Sequence, residues 1–252
     1  MAIIEIDGLK INYKLEGEGK PVILMHGWQQ NLLMMDYIFN HLKNNFKVLS
    51  FDFCGHGESD GPKTPWGVSD YTKNLEKIIE AFNMENPILI GHSFGCRVAI
   101  TYASYNKVNK MILTGAAGIK PKRSFYYHVR VKTYKFLKKL VNAVGSESLK
   151  KSLEGKFGSS DYKNTKGVMR ETFVKVVNDD VSSILEKIEC PTLLVWGEFD
   201  EAVPLSMGKT MEANMKDAAL VVFEKDDHFA YFHQWQRFNL VIDAMLEKDK
   251  KQ

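Results

Sequence analysis

Cysteine is scarce. The 252 residues hold only Cys54, Cys96 and Cys190, an odd number set far apart with no C-x-x-C pair. That usage offers no zinc site, no thioredoxin-like motif and no disulfide framework. Long apolar runs are missing too: nothing approaches the ~18 residues that a membrane-spanning helix needs. The opening Met1-Ala2-Ile3-Ile4-Glu5-Ile6-Asp7 carries acids, not the basic stretch and apolar core of a signal peptide. A reducing cytoplasm is the expected setting. Net charge is +3, so nothing global points to nucleic acid or to stable membrane insertion. What is present, 44% hydrophobic and 26% charged residues, suits a globular chain able to bury about three-quarters of its unfolded surface.

The first third alternates strand and helix patterns. Ala2–Asp7 and Leu9–Leu15 are short alternating runs joined at Asp7-Gly8, the signature of a hairpin. Apolar runs follow at Val22–Met25, Val48–Phe51, Ile88–Ile90, Lys110–Leu113, Thr192–Trp196 and Ala219–Phe223, with helical spacing between them at Val68–Phe82 and Phe94–Tyr105. Strands apolar on both faces and separated by helices predict an α/β fold: a mostly parallel, eight-stranded sheet flanked by helices, with the hairpin as its antiparallel edge. From about Ile119 to Asp180 the buried-strand pattern stops. Helical spacing takes over at Ser124–Val144, where Phe125, Val129, Phe136, Leu140 and Val144 recur mainly at four or seven. This predicts a helical cap over 119–180, inserted into a core made of 1–118 and 181–252.

Gly91-His92-Ser93-Phe94-Gly95 lies between the strand Ile88–Ile90 and the helix that starts near Phe94. Such a strand-to-helix turn lifts the central serine above the sheet, and glycines two residues away on each side let the chain pass closely. The pattern alone is weak; the strand before it and the helix after it give it meaning. A serine hydroxyl needs a base to take its proton. His228 follows the last strand, and loops at the carboxyl ends of parallel strands share one rim of the sheet. Trp196-Gly197-Glu198-Phe199-Asp200-Glu201 follows another strand and offers the acid, Asp200 being preferred to Glu198 and Glu201. Asp226 and Asp227 adjoin the base and are read as shaping its turn. His26-Gly27-Trp28 follows Val22–Met25, so the N–H groups of Trp28 and Phe94 are the expected oxyanion-hole donors. His26 is read as a brace for that loop.

With these motifs in order, the sequence resembles the α/β-hydrolase superfamily, in its branch with a helical cap. His26-Gly27-Trp28 resembles the family's oxyanion motif, and Asp52-Phe53-Cys54-Gly55-His56-Gly57-Glu58-Ser59 its D-x-x-G-x-G-x-S turn. Gly91–Gly95 resembles the nucleophile elbow, Trp196–Asp200 the acid loop and Asp227-His228 the base loop. The resemblance implies a serine hydrolase with Ser93, Asp200 and His228 as triad, no cofactor and no metal, cleaving a small carboxylic ester or related acyl substrate. Serine at 93 separates the chain from the dehalogenase and epoxide hydrolase branches, which carry aspartate there. Carbon–carbon bond hydrolases of ring-cleavage diketones are the nearest alternative. They usually have Gly-Asn-Ser at the elbow and tryptophan after the histidine, where this chain has His92 and Phe229, although Gln234, Trp235, Phe238 and Asn239 echo them. A small-ligand receptor that keeps its triad without turnover is the alternative from another class.

Charge is uneven. Ile119–Arg170 holds 14 Lys and Arg against 3 Asp and Glu, a local +11, leaving −8 elsewhere. This reads either as a solvated helix face or as attraction of an anionic substrate or a phospholipid surface.

Overall fold

The computed structural model describes residues 1–120, 133, 134, 136, 137, 139–141, 162 and 164–250. Eight strands form one sheet: β1 (Ala2–Ile6), β2 (Leu9–Glu16), β3 (Pro21–Met25), β4 (Lys47–Phe51), β5 (Ile88–His92), β6 (Lys110–Thr114), β7 (Thr192–Gly197) and β8 (Ala218–Phe223). Their order is β1-β2-β4-β3-β5-β6-β7-β8. The β1–β2 and β2–β4 pairings are antiparallel, and every pairing from β4 through β8 is parallel. The hairpin turn is the two-residue loop Asp7-Gly8, with both residues at positive φ (53° and 73°), which matches the twist of the strands it joins.

The described helices are α1 (Asp36–Leu42), α2 (Val68–Ala81), α3 (Phe94–Ala103), α4 (Gly167–Asn178), α5 (Leu205–Asn214), α6 (Ala230–His233) and α7 (Trp235–Leu246). Successive residues of a strand point to opposite faces, and two separate apolar clusters follow from that. Ile23, Met25, Leu89, Leu113 and Trp196 pack under α2, α3 and α5, whereas Val22, Leu24, Ile90, Ile112 and Val195 pack under α1, α6 and α7. Continuous apolar strands are thus the mark of a sheet covered on both sides, each fully buried aliphatic side chain contributing about 1.5–3 kcal/mol. Asp70 accepts a hydrogen bond from Gly67 N–H at 2.8 Å and so starts α2 sharply. Among the described residues no helix is long and apolar enough to cross a membrane.

The expected Ser124–Val144 helix lies for the most part outside the described residues; those described within it are helical. Its flanks are informative. Val181 N–H donates to Gly118 O at 3.0 Å, so the chain leaves the core and returns to it at neighbouring points.

Candidate active site

The loops after β3, β5, β6, β7 and β8 gather on one rim because those strands run parallel. Ser93 sits between β5 and α3 at φ 50° and ψ −104°, a conformation that costs a non-glycine residue on the order of 1–3 kcal/mol. Two backbone bonds hold it there, Ser93 N–H to Thr114 O at 3.0 Å and Ala117 N–H to Ser93 O at 3.2 Å. The flanking glycines are sterically required: a Cβ on Gly91 would lie 2.9 Å from Cys96 N, and one on Gly95 would collide with Met25 O.

His228 Nδ1 lies 2.7 Å from Asp200 Oδ2. A carboxylate only accepts, so Nδ1 is the protonated nitrogen and Nε2 carries the lone pair. The Asp200 side chain is fully buried, and its other oxygen accepts from Val203 N–H at 2.7 Å. The neighbouring acids have other partners. Glu198 Oε2 accepts from Lys225 N–H at 3.0 Å, and Glu201 is exposed. The imidazole rests beside Gly115, where a Cβ would stand 2.9 Å from His228 Nδ1. Gly115 directly follows Thr114, the residue whose carbonyl holds Ser93, so the two loops are neighbours. Among the described residues the Ser93 hydroxyl makes no hydrogen bond, to His228 or to any other group.

Asp226 and Asp227 shape the turn that presents His228. Asp227 Oδ1 accepts from Phe229 N–H at 2.8 Å, while Asp226 takes bonds from Asp227 N–H, His233 Nδ1 and the Gln234 amide at 2.8–2.9 Å. Asp226, Asp227 and His233 lie close enough to share a cation, but these donors already engage both carboxylates.

The His26–Trp28 loop is braced from beneath. His26 Nε2 accepts from Phe53 N–H at 3.1 Å, and Nδ1 donates to Gly27 O at 2.7 Å. Burial pushes the pKa of His26 down to about 4, so the ring is a neutral two-ended strut. Gln30 Oε1 accepts from Gly27 N–H at 2.8 Å. Neither Trp28 N–H nor Phe94 N–H finds an acceptor among the described residues, and the two side chains pack edge to face at 5.4 Å. Asp52, first residue of the D-x-x-G-x-G-x-S turn, accepts from Leu32 N–H, the Asn12 amide and Glu58 N–H at 2.7–2.9 Å. Asp52 thereby ties Leu32 and the Glu58 end of its own turn to Asn12 of β2. A cavity of about 380 Å³ opens beside Trp28, between the Gly55–Gly57 turn and the start of α4.

Sequence reasoning passed over Gly115. Its only signal was a glycine directly after the apolar run Lys110–Leu113 and Thr114.

A family model described as alpha/beta hydrolase fold matches residues 20–125, and one described as TAP-like protein matches 174–250. The chain belongs to the α/β-hydrolase superfamily. It is 27% identical over 244 residues to the AB hydrolase superfamily protein YisY of Bacillus subtilis, spanning 90% of this chain and 91% of that one. It is 26% identical over 277 residues to a 2-hydroxy-6-oxononadienedioate/2-hydroxy-6-oxononatrienedioate hydrolase of Burkholderia vietnamiensis, spanning 95% and 92%. Among solved structures, an esterase from Exiguobacterium antarcticum superposes with a TM-score of 0.75 at 23% identity over 97% of this chain and 98% of the other. A meta-cleavage product hydrolase from Pseudomonas fluorescens gives 0.75 at 21% identity over 98% of each; both show a shared fold.

Proposed function

We propose that this α/β-hydrolase cleaves a small carboxylic ester or related acyl substrate through a covalent acyl-enzyme. The observation that carries this reading is the bond between the buried Asp200 and the partly exposed His228, beside the elbow that holds Ser93 at positive φ. Ser93 Oγ attacks the carbonyl carbon while His228 Nε2 takes the hydroxyl proton. Asp200 keeps the imidazole in the tautomer that leaves Nε2 free and stabilises its cation. The Trp28 and Phe94 N–H groups receive the oxyanion, each worth about 3 kcal/mol in the transition state. The protonated His228 then hands its proton to the leaving alcohol. Water, activated by the same imidazole, releases the acid and restores Ser93. The serine–imidazole hydrogen bond absent from the free protein forms as substrate seats, since catalytic bonds commonly tighten only in the complex.

The test is hydrolysis of short p-nitrophenyl esters by the wild type and Ser93→Ala. The wild type turns over and is labelled at Ser93 by a fluorophosphonate, and the variant does neither. Equal rates for both would overturn the assignment, and labelling with a single slow turnover would point to a receptor. Likeness to the Burkholderia vietnamiensis enzyme favours carbon–carbon bond hydrolysis as a second reading; a ring-cleavage diketone cleaved faster than any ester would establish it.

In this reading 119–180 is a cap over a core of 1–118 and 181–252, and its positive charge draws anionic substrates to the entrance.

A further inference from the structure

His92, between Gly91 and Ser93 in the elbow, is completely buried, and the proposed chemistry does not use it. Its ring nevertheless lies against the loops after β3, β6 and β8. The His228 ring lies 4.7 Å away, centroid to centroid, and Phe229 and Tyr231 beside it lie at 5.4 and 4.5 Å. On the opposite loop, a Cβ on Gly27 would come within 2.9 Å of His92 Cδ2. His92 Nδ1 lies 3.2 Å from Thr114 O. A carbonyl oxygen only accepts, so Nδ1 carries the proton. The same carbonyl accepts from Ser93 N–H at 3.0 Å. One backbone oxygen therefore fixes both the nucleophile's turn and the angle of the ring that meets the base.

We propose that His92 is a positioning residue: its tethered ring is the wall that seats the His228 imidazole over Gly115 and within reach of Ser93. This rests on the serine-hydrolase reading. Asp200 grips the imidazole from one end through a single hydrogen bond, which leaves the ring free to swing about that bond; His92 removes the swing. Burial, with His228 alongside, holds the His92 pKa well below its ordinary value, so the wall is neutral and does not repel the imidazolium formed during proton transfer. An ordinary core-filling role accounts less well for the residue. His92 Nε2 is buried without a partner, a destabilising feature that phenylalanine would fill the same space without.

The experiment compares wild type, His92→Ala and His92→Phe by ester kinetics and by proton NMR of the His228 Nδ1–H, which the bond to Asp200 shifts downfield. His92→Ala lowers kcat by about 100-fold, as a small displacement of a reacting group does, while KM stays within about twofold. Its downfield resonance broadens away. His92→Phe keeps the ring but not the tether, so it restores the resonance and about tenfold of the lost kcat, with thermal stability equal to or above that of wild type. Should His92→Ala fail to fold, His92→Leu replaces it, filling the volume without a flat ring. A folded variant lacking the ring that keeps its kcat and its downfield resonance overturns the proposal, as does a His92→Phe protein no better than His92→Ala. If the wild type hydrolyses no ester, the ester reading fails by itself, and the resonance still reports whether His92 seats the His228 imidazole.

Discussion

A single methyl group at Gly115 should unseat His228, the proposed base. With φ at 52°, and His228 Nδ1 and Cε1 at 2.9 and 3.0 Å from the position a Cβ would take, Gly115→Ala must displace the imidazole or the backbone. We expect kcat on p-nitrophenyl acetate to fall by about 100-fold, the usual result of misplacing a reacting group by an ångström. Circular dichroism should show the fold retained; unchanged turnover would mean the imidazole has another seat. Asp200→Asn keeps the size of the side chain but lets an amide N–H face Nδ1, which favours the wrong tautomer. The expected loss in kcat is up to about 10⁴-fold, with KM little changed. At this scale Ser93, Asp200 and His228 were the candidates that the sequence offered, because each follows a strand end that could be counted. Gly115 and His92 were not. Their importance comes from what packs against them, and no periodicity or motif spacing encodes a neighbour across the sheet.

Among elements, the decisive contact joins the loops after β7 and β8. Phe199 N–H donates to Asp226 O at 2.8 Å and Glu198 N–H to Phe223 O at 3.0 Å, so the loops carrying Asp200 and His228 travel as one unit. Gly197 permits this closeness, since a Cβ there would collide with Asp227 O. Gly197→Ala should pry the loops apart, lower kcat and cost about 1–3 kcal/mol of stability through strain, read as a shift in urea midpoint. All eight strands were visible in advance, β1 and β2 as alternating runs joined by a turn and the other six as apolar runs, which a sheet covered on both sides produces. Helices α2 and α3 were visible from their spacing. The helices α1, α5, α6 and α7 were not assigned; α1 and α6, of seven and four residues, have too few turns for a pattern to stand out. Ser124–Val144 falls largely beyond what the structure describes.

For the molecule as a whole, buried histidines set the acid limit. Burial lowers the pKa of His26 to about 4 and that of His56 to about 3, from 6.5 in the open chain. Above pH 6.5 both states are neutral and these groups contribute nothing to the pH dependence. As the pH falls below 6.5, the unfolded chain binds protons that the folded one refuses, so stability drops by up to about 1.4 kcal/mol per pH unit for each histidine. The loss continues until the folded pKa is reached. Melting temperature measured from pH 7.5 down to 4.5 should show this slope, and His56→Gln should flatten it; a level profile would contradict neutral burial. The +11 of Ile119–Arg170 belongs to the same scale. If it steers substrate, rates on an anionic ester should fall as ionic strength rises from ~0.01 to ~0.15 M, over which the screening length shrinks from about 30 to 8 Å. A neutral ester should not respond. Identical salt responses would leave the charge as a solvated face.

The backbone bond between Gly118 and Val181 has a consequence for how such a protein can diversify. Whatever lies between two residues already held together spans no gap, so lengthening, shortening or exchanging it leaves the register of the sheet and the spacing of the rim loops untouched. One stretch of gene can then be rewritten while the rim loops around Ser93, Asp200 and His228 are inherited intact.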